Sequence, residues 1–238
     1  MTQWVSRTWK SAREALRWRG ARYVLILGFR EILRPVMYWH VWYIFERDLR
    51  QPLPEPDAKG KFESRVYSGK NALENAGLLN SCLAEYIPAD SAARLERGDA
   101  LAVAYSGSEP VGASWMCFSG GAELAFGATW KIQPGEGVQY DAFVHPKWRG
   151  YGIQTILNVA LYRYARDHGM HRSMGSISVF NPQSLALTKR RKTNKSMTVF
   201  LLRVRGINWV IARASGQPFE SRFEKSAGKQ VEREARRA

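Results

Sequence analysis

The stretch HPKWRGYGIQTIL, residues 145–157, sets Gly150 and Gly152 one residue apart, directly behind Arg149 and directly ahead of a run with helical spacing. The first amides of a helix have no intrahelical partner and lie at the positive end of its dipole, so a glycine-rich entry lets a phosphate approach them closely. An ordinary tight turn has the same spelling, and the loop alone leaves both readings open. Just upstream, VQYDAFVHP carries Tyr140 and Asp141. A carboxylate there can take a proton from a nucleophile or simply hold a neighbouring strand. His145, before Pro146, suits a structural or solvent-facing place better than a catalytic one. His168 and His171 flank a helix end, His40 sits in an aromatic run, and no pair has metal-ligand spacing. With only Cys82 and Cys117, neither a disulfide framework nor a zinc site is indicated, and a reducing cytoplasm fits.

These residues need a scaffold, and the hydrophobic pattern supplies one. VQYDAFVHP reads as a strand stopped by Pro146. GIQTILNVALYRYARDHG reads as an amphipathic helix, with Ile153, Leu157, Ala160, Leu161 and Tyr164 in a stripe and Gly169 as its C-terminal cap. HRSMGSISVF is a further strand, Asn181 and Pro182 open the helix PQSLALTKRR, and SMTVFLLRVRG and INWVIAR read as strands. Before the loop, KFESRVYSG is a strand and NALENAGLLNSCLAEYI a helix with Leu73, Ala76, Leu79 and Leu83 on one side. A short helix over 89–97 ends at Gly98, ALAVAYSGSEPVGASWMCF is a two-strand meander, and one more strand covers 123–132.

Residues 1–50 differ from the rest. Trp4, Trp9, Trp18, Trp39 and Trp42 mix there with Arg7, Arg13, Arg17, Arg22, Arg30 and Arg34, so the segment reads as a mainly helical basic and aromatic extension. Leu25, Phe29, Ile32 and Leu33 keep helical spacing, and VMYWHVWYIFERDL is a second helix or a strand. Such a mixture suits a helix at an anionic membrane surface, or packing on the domain or a second subunit. QPLPEPDAKG, residues 51–60, is a stiff linker; residues 61–213 form the main domain and 214–238 a charged tail, frayed or loosely helical.

The chain has 238 residues, 45% hydrophobic and 12% aromatic, enough apolar surface for one substantial core. A net charge of +15 predicts attraction to polyanions: nucleic acid, an anionic membrane face or a phosphate-rich cofactor. No RRM, zinc finger or helix-turn-helix pattern supports nucleic acid. The Rossmann and P-loop spellings are missing as well. No secretory signal or membrane-spanning segment is expected, since the longest apolar runs are too short to cross a bilayer. TKRRKTNK, residues 188–195, is either a solvated basic helix end or a phosphate contact.

The meander, strand, R-G-x-G loop, helix, strand ending in Asn and final helix–strand unit together resemble the GCN5-related N-acetyltransferase superfamily over about residues 62–205. The resemblance implies an α+β fold: a central mixed, mostly antiparallel twisted sheet flanked by helices. It implies transfer of an acyl group from acetyl-CoA or another acyl-CoA to a primary amine. Arg149, Gly150, Tyr151 and Gly152 match the family's pyrophosphate motif, so Arg149 and the amides from Gly150 through Ile153, Gln154 and Thr155 would meet the phosphates. The amides of Phe143, Val144 and His145 would face the acyl carbonyl. NPQSLAL matches the second motif, with Asn181 and Ser184 beside the pantetheine arm. Asp141 and Tyr140 stand where the family places its base.

Four positions depart from the pattern. Gln154 replaces a usual Gly or Ala and either crowds the pyrophosphate or donates to it; Thr188 replaces a tyrosine acid; Lys192 and Thr193 replace a Gly-Phe pair. The acceptor would be an amine, phosphorylated or membrane-linked, such as an amino sugar of an envelope precursor. The rival reading is a catalytically lost member of the fold or a basic protein acting on membrane or nucleic acid.

Overall fold

The computed structural model describes residues 25–26, 28–29, 32–33, 36–56, 60–125, 128–190, 193–204, 207–214 and 223–225. The expectations for Trp4, Trp9, Trp18 and their neighbouring arginines, for Arg191 and Lys192, and for most of the charged tail fall outside these residues. The chain divides into two compact units, one of Met1–Val41 with Phe200–Ile211 and a larger one of Trp42–Val199 with Ala212–Ala238.

The larger unit is built on strands β1 (Met37–Asp48, from Trp42 onward), β2 (Glu63–Tyr67), β3 (Ala100–Ser106), β4 (Glu109–Cys117), β7 (Glu136–Val144), β8 (Arg172–Ser178) and β9 (Asn194–Val204, to Val199). Their order across the sheet is β9-β1-β8-β7-β4-β3-β2. The β1–β8, β2–β3, β3–β4 and β4–β7 pairs are antiparallel, whereas β7 and β8 are parallel. A parallel pair needs a crossover, and helix α3 (Ile153–Asp167) provides it. This is the mixed, mostly antiparallel α+β architecture expected from the sequence.

Both faces of the sheet are covered, which explains the continuous apolar run Ala-Leu-Ala-Val-Ala-Tyr in β3. Ala100, Ala102 and Ala104 pack under α3 against Leu157 and Leu161. Leu101, Val103 and Tyr105 face the opposite layer, where Leu83, Leu95 and Trp115 lie, because strand side chains alternate. Gly112 lets α3 sit close to the sheet: a Cβ there would come within 3.0 Å of Ile153 and 3.1 Å of the Phe143 carbonyl.

The helix expected over NALENAGLLNSCLAEYI is cut short. Only α1 (Ala72–Asn75) and a 3-10 turn, Ala84–Tyr86, form, because Gly77 adopts a left-handed φ of 64° that ends the first helix. Leu79, assigned to the buried side, is exposed, and Leu78 is buried instead. The second short helix, α2 (Ser91–Glu96), stops before Gly98 at φ 92° as expected. The single strand over 123–132 is a hairpin, β5 (Gly121–Ala125) and β6 (Ala128–Lys131), in a separate sheet. Its third strand, β11 (Phe223–Lys225), comes from the charged tail and pairs Phe223 with Trp130.

VMYWHVWYIFERDL resolves as strand β1, and its residues 42–48 lie inside the sheet, paired with β8 from Trp42↔Ser178 to Asp48↔Arg172. Leu49 follows fully buried. The smaller unit contains the other ends of β1 and β9 and most of β10 (Ile207–Ala214), the hydrogen-bonded neighbour of β9. Residues 25, 26, 28, 29, 32 and 33 are helical there. Among the described residues no helix is long and apolar enough to cross a membrane.

Candidate functional site

The register of β7 builds the site. It pairs with β8 only from Glu136 to Gln139, yet continues along β4 as far as Val144. Trp115 lies opposite Tyr140 and Ala113 opposite Phe143, so β7 spends three residues where β4 spends two. This is a β-bulge, and Asp141 within it has φ 42°, the one positive φ outside glycine among the described residues. Asp tolerates that region better than most residues, but the surroundings must still hold it there. Beyond Gln139 the two parallel strands diverge, and a cleft of about 260 Å³ opens between them.

Seven of the residues singled out in the sequence line this cleft: Tyr140, Asp141, Gln154, Asn181, Ser184, Thr188 and Thr193. The structure thus brings residues from the strand, the first turn of α3 behind the glycine loop and the NPQS segment to one place. Phe143, Val144, His145, Arg149, Gly150, Tyr151, Gly152, Ile153 and Thr155 are not in its lining. The amide of His145 donates to the Val111 carbonyl at 3.0 Å, so it is not open to a ligand. Strand alternation turns the amide of Val144 to the other edge, the one β8 has left. Phe143 stacks on Tyr86, ring centroids 3.6 Å apart, and faces a separate small apolar pocket on the opposite side of the sheet that Asp141 also borders.

Gly150 and Gly152 have φ of 86° and 83°, and Gly152 is the N-cap of α3, its carbonyl accepting from the amides of Thr155 and Ile156. Such a left-handed entry is open to glycine and costly for other residues. Ile153 is a core residue. Arg149 donates from Nε to the Val144 carbonyl at 3.3 Å, closing the loop on β7, while Tyr151 sits half-exposed against Phe62 and Trp148. Gln154 donates from Nε2 to Asn158 Oδ1 at 2.8 Å, along the helix that walls the cleft. Asn181 caps α4 (Pro182–Arg190), its Oδ1 accepting from the Ser184 amide at 3.1 Å. The Thr188 hydroxyl donates back to the Ser184 carbonyl at 2.8 Å, a helix contact and not an acid poised on a leaving group.

Behind the bulge lies an ionic network that the sequence reading missed. Arg94, nearly buried on α2, bonds Asp90 at 2.9 Å and Asp141 at 2.6 Å, with its guanidinium 4.8 Å from the Tyr140 ring centre. Burial disfavours its charge, but the hydrogen bonds to Asp90 and Asp141 outweigh that and raise its pKa. Asp99, fully buried, accepts from the Tyr140 hydroxyl and from Arg97 at 2.5 Å. Burial first, and then the hydrogen bond to Asp99, push the Tyr140 phenol well above its ordinary value. The available signal was positional: Arg94 shares the buried face of α2 with Ser91 and Leu95, a charge on the side of the helix turned inward. Arg47, Ser114 and Gln139, also in the cleft lining, had no motif to mark them.

No family model matches the chain, and no curated protein matches it. Solved structures with a similar fold include a GCN5-related N-acetyltransferase from Sphaerobacter thermophilus, 17% identical, covering 82% of this chain and 58% of that one at a TM-score of 0.44. A tandem GNAT protein from the clavulanic acid biosynthesis pathway is 14% identical, covering 76% of this chain and 58% of that one at 0.47. An IAA acetyltransferase from Bacillus cereus is 15% identical, covering 65% of this chain and all of the other at 0.41. The chain therefore spans about 58% of the length of the first two of these. Likenesses this weak carry no conclusion about substrate or activity.

Proposed function

We propose that the protein is an acyl-CoA-dependent N-acyltransferase, moving an acetyl or other short acyl group from coenzyme A to a primary amine. The observation that supports this reading is the divergence of β7 from β8 after Gln139, which opens a cleft where Gln154, in the helix turn that follows the R-G-x-G loop, and residues of NPQSLAL converge. The phosphates would take the open helix start behind Gly150 and Gly152, helped by Arg149. The pantetheine arm would follow β7, past Asn181 and Ser184. Backbone amides on the edge that β8 leaves would receive the thioester oxygen as it gains charge.

In the reaction the amine nitrogen attacks the thioester carbonyl, the C–N bond forms, and the C–S bond breaks as the tetrahedral intermediate collapses. The nitrogen gives up a proton and the departing thiolate gains one. Asp141 is assigned the proton from the amine, directly or through water, because it borders both the cleft and the apolar pocket on the other side of the sheet. Arg94 fixes its orientation. Tyr140 has its hydroxyl committed to Asp99 and is assigned a supporting role. Titration calorimetry with acetyl-CoA tests the reading, and binding in the micromolar range with thiol release on adding amines is expected. No binding up to millimolar concentration would return the chain to the rival reading of a non-enzymatic basic module.

A membrane-linked acceptor is favoured by a separate observation. Leu25, Phe29 and Ile32, spaced four and three residues apart on helical backbone, are 70%, 61% and 76% exposed. The surrounding sequence is strongly basic. That combination fits an anionic bilayer surface.

A further inference from the structure

The bulge in β7 changes which face of the sheet its side chains serve. Neighbouring residues of a regular strand point to opposite faces. Here Tyr140 and Phe143 both pack on the layer that holds Leu101 and Trp115, and Asp141, directly after Tyr140, is bonded to Arg94 of α2 in that same layer. A carboxylate is thereby delivered to an apolar face.

Asp141 borders a small pocket there, and among the described residues it is the one charged residue of the lining. Leu78, Leu83, Leu101 and Trp115, each at most 2% exposed, line its buried side. The stacked rings of Tyr86 and Phe143 line it as well, and Tyr86 is 40% exposed, so that wall reaches solvent. The enclosed space is about 20 Å³. One water-sized group needs about 10–15 Å³, so the pocket takes one or two methylene groups and no ring.

Charge narrows the occupant further. Arg94 donates to Oδ2 of Asp141, whereas Oδ1 accepts no hydrogen bond among the described residues. Arg94 is also shared with Asp90. Residues 71–99, which supply α1, the 3-10 turn and α2, hold five acids and two arginines in a chain of net charge +15. A cation is favoured beside this layer and a phosphate is not.

We infer that the acceptor is an aliphatic primary amine, bound as its ammonium ion at Asp141, with the first carbons beyond the nitrogen in this pocket and the remainder continuing past Tyr86. This rests on the acyltransferase reading and names the class of its acceptor. Asp141 borders the cleft as well, so a nitrogen held there lies beside the space assigned to the thioester. The ammonium loses one proton to Asp141 before attack and, once the C–N bond has formed, a second to the departing thiolate. An amino sugar would set hydroxyls against leucine and aromatic carbons, and a buried hydroxyl without a partner is costly.

The test measures thiol release from acetyl-CoA by the full-length protein with 1-propylamine, ethanolamine and glucosamine. The first two are matched in size and differ by a methyl against a hydroxyl. Ethanolamine is the weaker base and the easier to deprotonate, so a lead for propylamine reports the pocket. Propylamine is expected to lead ethanolamine by about tenfold to a hundredfold in kcat/KM, mainly through KM, and glucosamine by more. Tyr86→Ala is expected to bring the ratio toward one, and Tyr86→Phe to keep it. Equal use of the amines, a lead for ethanolamine or glucosamine, or a ratio unmoved by Tyr86→Ala overturns the inference and leaves the acyltransferase reading intact. Thiol release with none of them, while acetyl-CoA still binds in calorimetry, overturns it as well. Failure of acetyl-CoA to bind removes both. The wild-type comparison stands by itself if a variant does not fold.

Discussion

Asp141 carries the most chemistry per atom in this protein. Its backbone is strained, its carboxylate is held by Arg94, and it touches both the cleft and the apolar pocket. Asp141→Asn keeps the shape and removes the base, so kcat is expected to fall about 10²- to 10⁴-fold in thiol-release assays. An unchanged kcat would take the role from Asp141. Tyr140 makes a different prediction. Its pKa is raised by burial and by Asp99, so its contribution is fully present below the phenol's unfolded value near 10 and is lost only as pH rises through the higher folded value. Tyr140→Phe leaves fully buried Asp99 with Arg97 alone. The expected cost is about 1–3 kcal/mol in urea unfolding, the same at about pH 6 as at about pH 9. A cost that changed across that window would mean the phenol already titrates there. The cysteines can be read chemically as well. Burial pushes the Cys117 thiol up to about 12, and its Sγ–H donates to the Val138 carbonyl, whereas Cys82 is exposed. A disulfide reagent near pH 8 is expected to titrate one thiol in the native protein and two in denaturant.

At the scale of the element, the strand–loop–helix unit β7–α3 is where sequence and structure agree best. Its helix has a strong stripe, and its entry needs two glycines at positive φ. A Cβ on Gly150 would meet no atom within 4 Å, so Gly150→Ala tests backbone strain alone. The expected loss is about 1–2 kcal/mol, read in thermal or urea unfolding. Leu157, fully buried on the sheet-facing side of α3, is expected to cost about 2–5 kcal/mol when changed to Ala. Other elements were less legible for identifiable reasons. NALENAGLL has a helical apolar pattern, but pattern does not report that Gly77 turns left-handed. The β5–β6 hairpin was hidden within one apolar run. Strand β1 was assigned to an extension because its aromatic-rich composition resembles the segment before it, whereas its partner β8 lies more than a hundred residues away. The same distance effect hid much of the site. Motif spacing finds Gly150, Gly152 and Asn181, which act locally on their own helix starts. Arg47, Ser114 and Arg94 become neighbours of the cleft or the bulge only through sheet register and layer packing.

At the scale of the whole molecule the dominant fact is charge, and composition alone leaves its partner open. A net +15 on 238 residues draws any polyanion, so charge must be joined to shape before it selects one. The exposed Leu25, Phe29 and Ile32 supply that second property, since apolar side chains at helical spacing gain nothing from a nucleic acid backbone but are stabilised in the boundary layer of a bilayer. Electrostatic attraction of about 1 kcal/mol per basic residue then adds to burial, and salt should weaken only the first contribution. The full-length protein is therefore expected to co-sediment with phosphatidylglycerol-containing vesicles and much less with pure phosphatidylcholine, with binding reduced but not abolished by salt. Phe29→Asp with Ile32→Asp is expected to release it from both. Vesicle binding that survived this double change would assign the interaction to charge elsewhere on the chain, and no binding to anionic vesicles at low salt would exclude the bilayer as partner. In that case a concentration-dependent rise in mass, abolished by the same substitutions, would identify the apolar face as a contact between two copies of the protein.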